Sequence, residues 1–409
     1  MITRARAAFV FIFVTVLLDM LAFGIIAPVL PQLIVRLEGG DTRTAATVYG
    51  LFGTAFAFMQ FLASPVLGAL GDRFGRRPVV LLSNLGLGAD YVVMAVAPTI
   101  PILFIGRLIS GVTSSSFSTA SAYVADVTAP ERRAARFGML GVAFGIGFIV
   151  GPAVGGILGA IDLRAPFWAA AALSFTNFLY GLFILPESLP RERRGPFRPK
   201  AANPIGAMRF LGSRAALPSL ALAAFFAYLA HDSLPVTFVL YSAQRFGFDE
   251  RAVGLALTVT GVSSLIVQGV VVGRAVRAFG EQRALLLGLL IGLVGQLILG
   301  LAPIAPIFLI GIPVWSLFGL VTPSLQALAS REVEPSEQGQ LQGALGSLRS
   351  VVTLITPLLY TQVFALAIGP LAWVGLPGAA FVLSALFLAA SAVTISARAR
   401  RSPAAARPA

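Results

Sequence analysis

The sequence predicts an all-α membrane protein: twelve transmembrane helices in two pseudo-symmetric six-helix bundles. Three observations predict it. Apolar runs of about 20 residues recur along a chain that is 57% hydrophobic and only 11% charged, with a mean hydropathy of +0.89. Basic residues collect in alternate loops. The second half repeats features of the first at one constant shift.

The apolar runs in order are 8–35, 45–70, 79–97, 101–126, 137–160, 166–185, 215–243, 252–278, 284–302, 305–330, 341–368 and 376–397. The first carries Asp19 and ends in MLAFGIIAPVLP, where Pro28 and Pro31 should kink it. Arg4 and Arg6 precede this run, but it is too long for a cleaved leader, so no signal peptide is expected. The second runs into a charged hairpin at 68–78, and the third carries Asp90. The fourth holds Arg107 and closes at Asp126, the fifth is rich in glycine, and the sixth holds Asn177. The pattern then breaks at PESLPRERRGPFRPKAANP, which reads as an ordinary proline- and charge-rich linker. Beyond it, the seventh run has His231 and Asp232 ahead of Leu234 and Pro235. The expected division is a bundle at 1–186, a central loop at 187–214, a second bundle at 215–397 and a tail at 398–409.

An even number of spans puts both ends of the chain on one side. Of the 30 Lys and Arg, only Arg36, Arg43, Arg164, Arg245 and Arg251 fall in the loops of the opposite side, and Arg107 and Arg349 lie within helices. The rest mark the cytoplasmic side, so both termini and the central loop are expected in the cytoplasm, with the bundles in the inner membrane. This confinement also explains the net charge of +13 without a nucleic-acid partner. With no cysteine there is no disulfide or thiolate site. No phosphate-binding loop, metal cluster or nucleophile constellation is present, and the loops are too short for a catalytic domain. The chain is therefore expected not to be an enzyme and to need no cofactor or metal.

At a shift of 205 residues, Gly68, Phe74 and Gly75 fall on Gly273, Phe279 and Gly280, while Pro130, Gly138 and Pro152 fall on Pro335, Gly343 and Pro357. One shift across three regions indicates an internal duplication. Asp72 and Asp126 fall on Arg277 and Arg331, so acids of the first half became bases in the second.

The hairpin reads GALGDRFGRRP, with Gly68, Gly71 and Gly75 between Asp72, Arg73, Arg76 and Arg77. A positive-inside loop explains the arginines but not the embedded acid or the glycine spacing. The pattern GxxxDRxGRRP between a second and a third helix resembles the loop signature of the major facilitator superfamily. Residues 138–156, with Gly138, Gly147, Gly151, Pro152, Gly155 and Gly156, resemble the fifth-helix signature of its antiporter branch. IGRLISG, with Gly106, Arg107 and Gly111, looks like the fourth-helix signature, whose arginine is linked with proton coupling in the family. ADYVVMAVAP, AYVADVT and PSLQALASREVEPSEQGQLQGALGSL further resemble the tetracycline/proton antiporters. That group would have a histidine in helix 8 and an aspartate in helix 9; here those places hold Ser264 and Gly292.

The resemblance implies two parallel halves, no cofactor, a proton gradient as energy source, and a proton-coupled multidrug or tetracycline-type efflux antiporter. It would export a small amphiphilic compound by alternating access, as a monomer whose partners are the substrate, protons and the lipid bilayer. Ionisable residues inside spans cost about 2.5–3.5 kcal/mol on insertion scales, so each should face a cavity or a partner. Asp19, Asp90 and Arg107 are candidates for proton and substrate coupling, against a plain helix–helix clamp. His231 and Asp232 are either a relay or polar residues satisfied near a helix end. Asp72 and Asp126 are expected to latch onto the nearby arginines, against static surface charge. Gly151 and Gly155 should line one helix face and admit a close neighbour. Gln60, Asn177, Ser264, Gln268 and Gln296 either line a cavity or bond a neighbouring helix. Two other functions stay open: a symporter or facilitator for a sugar or other metabolite, and a non-transporting sensor or assembly partner.

Overall fold

The computed structural model describes every residue except 1, 115, 195–207, 215 and 402–409. Much of the central loop and most of the tail therefore lie outside the described residues. Among the described residues the chain is built from helices alone, which in lipid is one of two ways to satisfy every backbone group. Among the described residues ten helices are long and apolar enough to cross a membrane.

α1 runs from Ile2 to Ile26 and resumes as Leu30–Leu37. The break falls where Pro28 and Pro31 predict it, with Val29 N–H turning back to the Ile26 carbonyl at 3.1 Å. α2 spans Thr42–Phe74, and the Asp41 side chain caps it by accepting from Arg43 N–H. α3 is Arg76–Val96. α4 is Ile100–Thr113, resuming as Ser116–Val127; the sequence gives one unbroken run here. α5 is Pro130–Gly159 and α6 is Ala165–Phe183.

In the second half α7 is Leu217–Phe246 and α8 is Glu250–Phe279, with a π-helical turn at Val267–Val271. α9 is Glu281–Leu301. α10, Ala305–Ser330, tightens to a 3₁₀ turn at Leu317–Leu320. α11, Pro335–Ile368, opens with a capping box between Glu334 and Glu337, and α12 is Ala379–Arg401.

The chain forms two compact units. The first comprises Met1–Ala202 together with Gly247–Gly261, the second Asn203–Phe246 and Val262–Ala409. The start of α8 thus packs with the first unit. In that unit α1 lies against α5 and α6, and α3 against α4 and α6. One apolar core gathers Ile26, Leu33, Phe52, Met94 and Phe167, and another gathers Phe9, Ile12, Tyr123 and Leu140. In the second unit α12 packs against both α7 and α9, closed at one end by rings. There Tyr241 meets Phe381 at 5.1 Å and Phe308 at 5.6 Å between centroids.

Candidate functional site

In the first unit, Asp19 on α1 is 4% exposed. The Asn177 amide on α6 donates to its Oδ1 at 2.8 Å and to the Thr15 carbonyl at 2.9 Å, so Asn177 fixes the carboxylate rather than lining open space. Asp90 on α3 is wholly buried and accepts from the Ser110 hydroxyl of α4. A Cβ on Gly106 would stand 2.8 Å from Asp90 Oδ1, so the glycine of the GRLISG stretch makes room for that acid. Arg107, the next residue, lays its guanidinium 4.5 Å over the Phe56 ring of α2. Its Nε is buried with no hydrogen-bond partner among the described residues. Asp90 thus faces α4 beside the residue before Arg107, while Asp19 is held between α1 and α6. Gln60 stands apart, donating to Ser114 Oγ at the break in α4 at 3.1 Å.

At the α2–α3 hairpin, Gly75 adopts φ +106°, a conformation that favours glycine. Arg76 follows and bridges two acids, Asp72 at 2.7 Å and Asp126 at 3.2 Å. Ser188 also donates to Asp126. Glu187, absent from the sequence expectations, caps α3: it accepts from the backbone N–H of Arg76 at 2.9 Å and of Arg77 at 3.3 Å. The Arg77 side chain bonds the Leu182 carbonyl at the end of α6, and Arg73 lies 5.3 Å over Phe74.

The second unit repeats this with charges exchanged. Arg331 pairs with Glu281 at 2.7 Å, and at the 205-residue shift Glu281 answers to Arg76 as Arg331 answers to Asp126. The same ion pair therefore joins α2–α3 to α4 and α8–α9 to α10, in opposite polarity.

The glycines of α5 divide by face. A Cβ on Gly147 would come within 2.5 Å of Met20 Cβ, and one on Gly151 within 2.7 Å of Gly24 Cα. One on Gly155 would run into the Ile25 carbonyl. These three line the seam with α1. Gly156 faces the start of α8, where the Glu250 carbonyl lies 2.5 Å from its Cβ position. Pro152 joins both seams, its ring on Gly24 and its carbonyl beside Gly254. At Gly68 and Gly138 a Cβ would meet nothing within 4 Å among the described residues. Close approach thus explains four glycines of the motif and neither of these two.

In the second unit a cavity of about 440 Å³ is walled by His231, Ser264, Gln268, Trp315, Phe318, Thr322 and Gln326, with neighbours on α8 and α10. Both those helices leave α geometry beside it. Gln268 sits in the π turn, a feature frequent at functional sites. Trp315, at the end of the α-helical stretch, and Phe318, in the 3₁₀ turn, stack at 4.7 Å and 13°. Ser264 and Gln268 line this space, whereas Gln296 is buried on α9 and donates to Ser233 at 2.9 Å. Gly292 faces Phe318, 3.3 Å from its Cβ position.

Behind the wall lies a charge cluster. Asp232 is 5% exposed, and its Oδ1 receives Arg349 Nη2 of α11 at 2.5 Å. The Thr356 hydroxyl donates to Oδ2 at 2.9 Å, and His231 Nδ1 stands 3.1 Å from Oδ1. Arg349 also donates to the Tyr228 carbonyl. Sequence reasoning placed Arg349 inside a span without a partner. The insertion cost of a lone arginine was itself the signal that an acid had to face it.

Two duplicated bundles, buried acids at mid-span and a cavity lined by polar and aromatic side chains define a membrane transporter rather than an enzyme. The chain belongs to the Major Facilitator Superfamily, whose profile matches residues 12–357 and 220–408. Over 393 residues it is 38% identical to the tetracycline resistance protein, class C, of Escherichia coli, covering 94% of this chain and 96% of that one. It also resembles the crystal structure of the human organic anion transporter MFSD10, with TM-score 0.70, 26% identity, and coverage of 96% and 99%. A bacterial homolog of the lysosomal transporter Spinster shares the fold at TM-score 0.74 and 16% identity, covering 96% of each chain.

Proposed function

We propose that this protein is a proton-driven antiporter that exports a small amphiphilic, tetracycline-type compound by alternating access. It works as a monomer in the inner membrane, with both termini cytoplasmic and no cofactor. The observation that carries this reading is His231: it walls the 440 Å³ cavity and touches the buried Asp232–Arg349 pair. A proton-exchanging group therefore stands between a ligand-sized space and a buried carboxylate. Asp19, Asp90 and Arg107 are the coupling groups of the first unit, where a buried acid within reach of a guanidinium can take up and release a proton. The ion pairs of Arg76 and Arg331 serve as breakable latches, and the glycine seams of α5 as sliding faces. The tetracycline resistance relatives support drug export. The human relative, described as an organic anion transporter, supports a wider substrate range, as do Ser264 and Gly292.

The test is everted membrane vesicles given an inward-acid pH gradient and a panel of compounds including tetracycline. Uptake of at least one compound that an uncoupler abolishes is expected. Absence of proton-dependent uptake across the panel refutes the antiporter. Uptake that instead follows a gradient of opposite direction favours a symporter.

A further inference from the structure

We infer that the exposed face of α8 is a docking surface for one anionic phospholipid, with its phosphate held by Arg274 and Arg277 and an acyl chain laid along the helix. This goes beyond the transport reading and does not depend on it.

The apolar part is a single row. Val262, Ile266, Val270 and Gly273 follow one another in steps of four, four and three residues, which keeps them on one side of the helix. The three large side chains are each at least 40% exposed. At Gly273, and at Gly269 beside the row, a Cβ would meet nothing within 4 Å among the described residues. The row is therefore an open strip and not a packing seam. At 1.5 Å per residue it runs for about 16 Å, which is one leaflet of a hydrocarbon core about 30 Å thick.

The strip ends in two exposed arginines, Arg277 four residues beyond Gly273 and Arg274 beside it. Positive charge at one end of a span follows from topology, but the posture of these side chains does not. Arg274 Nη1 donates to the Val270 carbonyl at 3.2 Å, and Arg277 Nε donates to the Gly273 carbonyl at 3.1 Å. Both carbonyls belong to the row, so each guanidinium is folded back one turn onto the apolar strip. Each bond uses one of five N–H groups and leaves the others to bind elsewhere. Neither arginine pairs with a carboxylate among the described residues. Glu281, the acid nearest in sequence, gives its Oε1 to Arg331 at 2.7 Å. Two guanidinium groups with N–H groups to spare suit a phosphate, and the strip beside them suits an attached chain.

The internal duplication supplies a comparison. At the 205-residue shift Arg274 and Arg277 answer to Ala69 and Asp72, and Asp72 is paired with Arg76 at 2.7 Å. The end of α2 presents a methyl group and an acid where α8 presents two cations. A preference for anionic lipid therefore belongs to α8.

The test is native mass spectrometry of the full-length detergent-purified protein, with dioleoylphosphatidylglycerol, dioleoylphosphatidylcholine or glycerol 3-phosphate added. One phosphatidylglycerol should be retained at least about 10-fold more strongly than phosphatidylcholine, since each arginine at an anionic surface is worth about a factor of five. Glycerol 3-phosphate should not displace it. Arg274→Gln combined with Arg277→Gln should bring the two lipids level, whereas lysine at both positions should keep most of the preference. Equal retention of both lipids by the parent overturns the proposal, and so does a preference that survives the glutamine pair. Displacement by glycerol 3-phosphate at the lipid's own concentration would show a phosphate site that ignores the strip, and overturns it as well. The lipid comparison is made on the parent, so a poorly folding variant leaves it decisive.

Discussion

The seam between α1 and α5 makes a quantitative prediction. Gly151→Ala places a methyl group 2.7 Å from Gly24 Cα, 2.8 Å from Gly24 C and 3.1 Å from Ile25 N. Carbon atoms rest at about 3.5–4.0 Å, so the helices must part by about 1 Å. All three obstacles are backbone, and no rotamer change relieves them. Overpacking of this kind costs about 1–3 kcal/mol. The control is Gly138→Ala on the same helix, where nothing lies within 4 Å of the Cβ position among the described residues. That variant should equal the parent or gain slightly, because alanine is the better helix former. Thermal denaturation of the detergent-purified variants, followed by loss of the monodisperse peak on gel filtration, measures both. A lower melting temperature and weaker export are expected for Gly151→Ala and neither for Gly138→Ala. If Gly151→Ala melts with the parent, or both variants fall alike, the close-packing argument is wrong.

Three more predictions concern charge and backbone. Arg349→Met leaves the Asp232 carboxylate buried without its guanidinium and should destabilise by about 3 kcal/mol; Arg349→Met with Asp232→Leu should recover most of that, read by the same melts. Arg76→Glu or Asp126→Arg alone should slow export in whole-cell efflux assays by about 10-fold, since either change leaves two like charges facing. The double exchange should recover only part of it, since a glutamate at position 76 would still face Asp72, and adding Asp72→Arg should restore it, because Arg277, Glu281 and Arg331 hold that pattern of charges at the equivalent places. Gly75→Ala forces a side chain into φ +106° and against Glu187, and should cost about 1–3 kcal/mol of melting stability and uncap α3.

The sequence made the helices legible because twelve apolar runs and one repeat leave little choice. It also pointed to the acids at mid-span, since each is too costly in lipid to be incidental. Three features of the site were not legible, each because it depends on packing. Arg349 was visible as a lone charge, but only the crossing of α7 and α11 names Asp232 as its partner. Glu187 reads as part of a linker, and its role at the start of α3 follows from a contact 111 residues away in sequence. Trp315 and Phe318 look like ordinary core residues until the fold sets their stacked rings at the cavity. Gln60 and Asn177 show the opposite limit: a neutral amide in a span signals a hydrogen bond, and here both serve helix contacts.

Placement of Gly247–Gly261 in the first unit bears on how the protein is made. The Pro152 carbonyl and Gly156 on α5 are covered by Gly254, a residue encoded about a hundred codons later. On the ribosome, that stretch of α5 waits for the whole of α7 to emerge before its last neighbour arrives, several seconds at about 5–20 residues per second. Cleavage at the central linker would strand that neighbour on the other fragment, so two separately synthesised pieces would have to find each other before the earlier one could finish assembling.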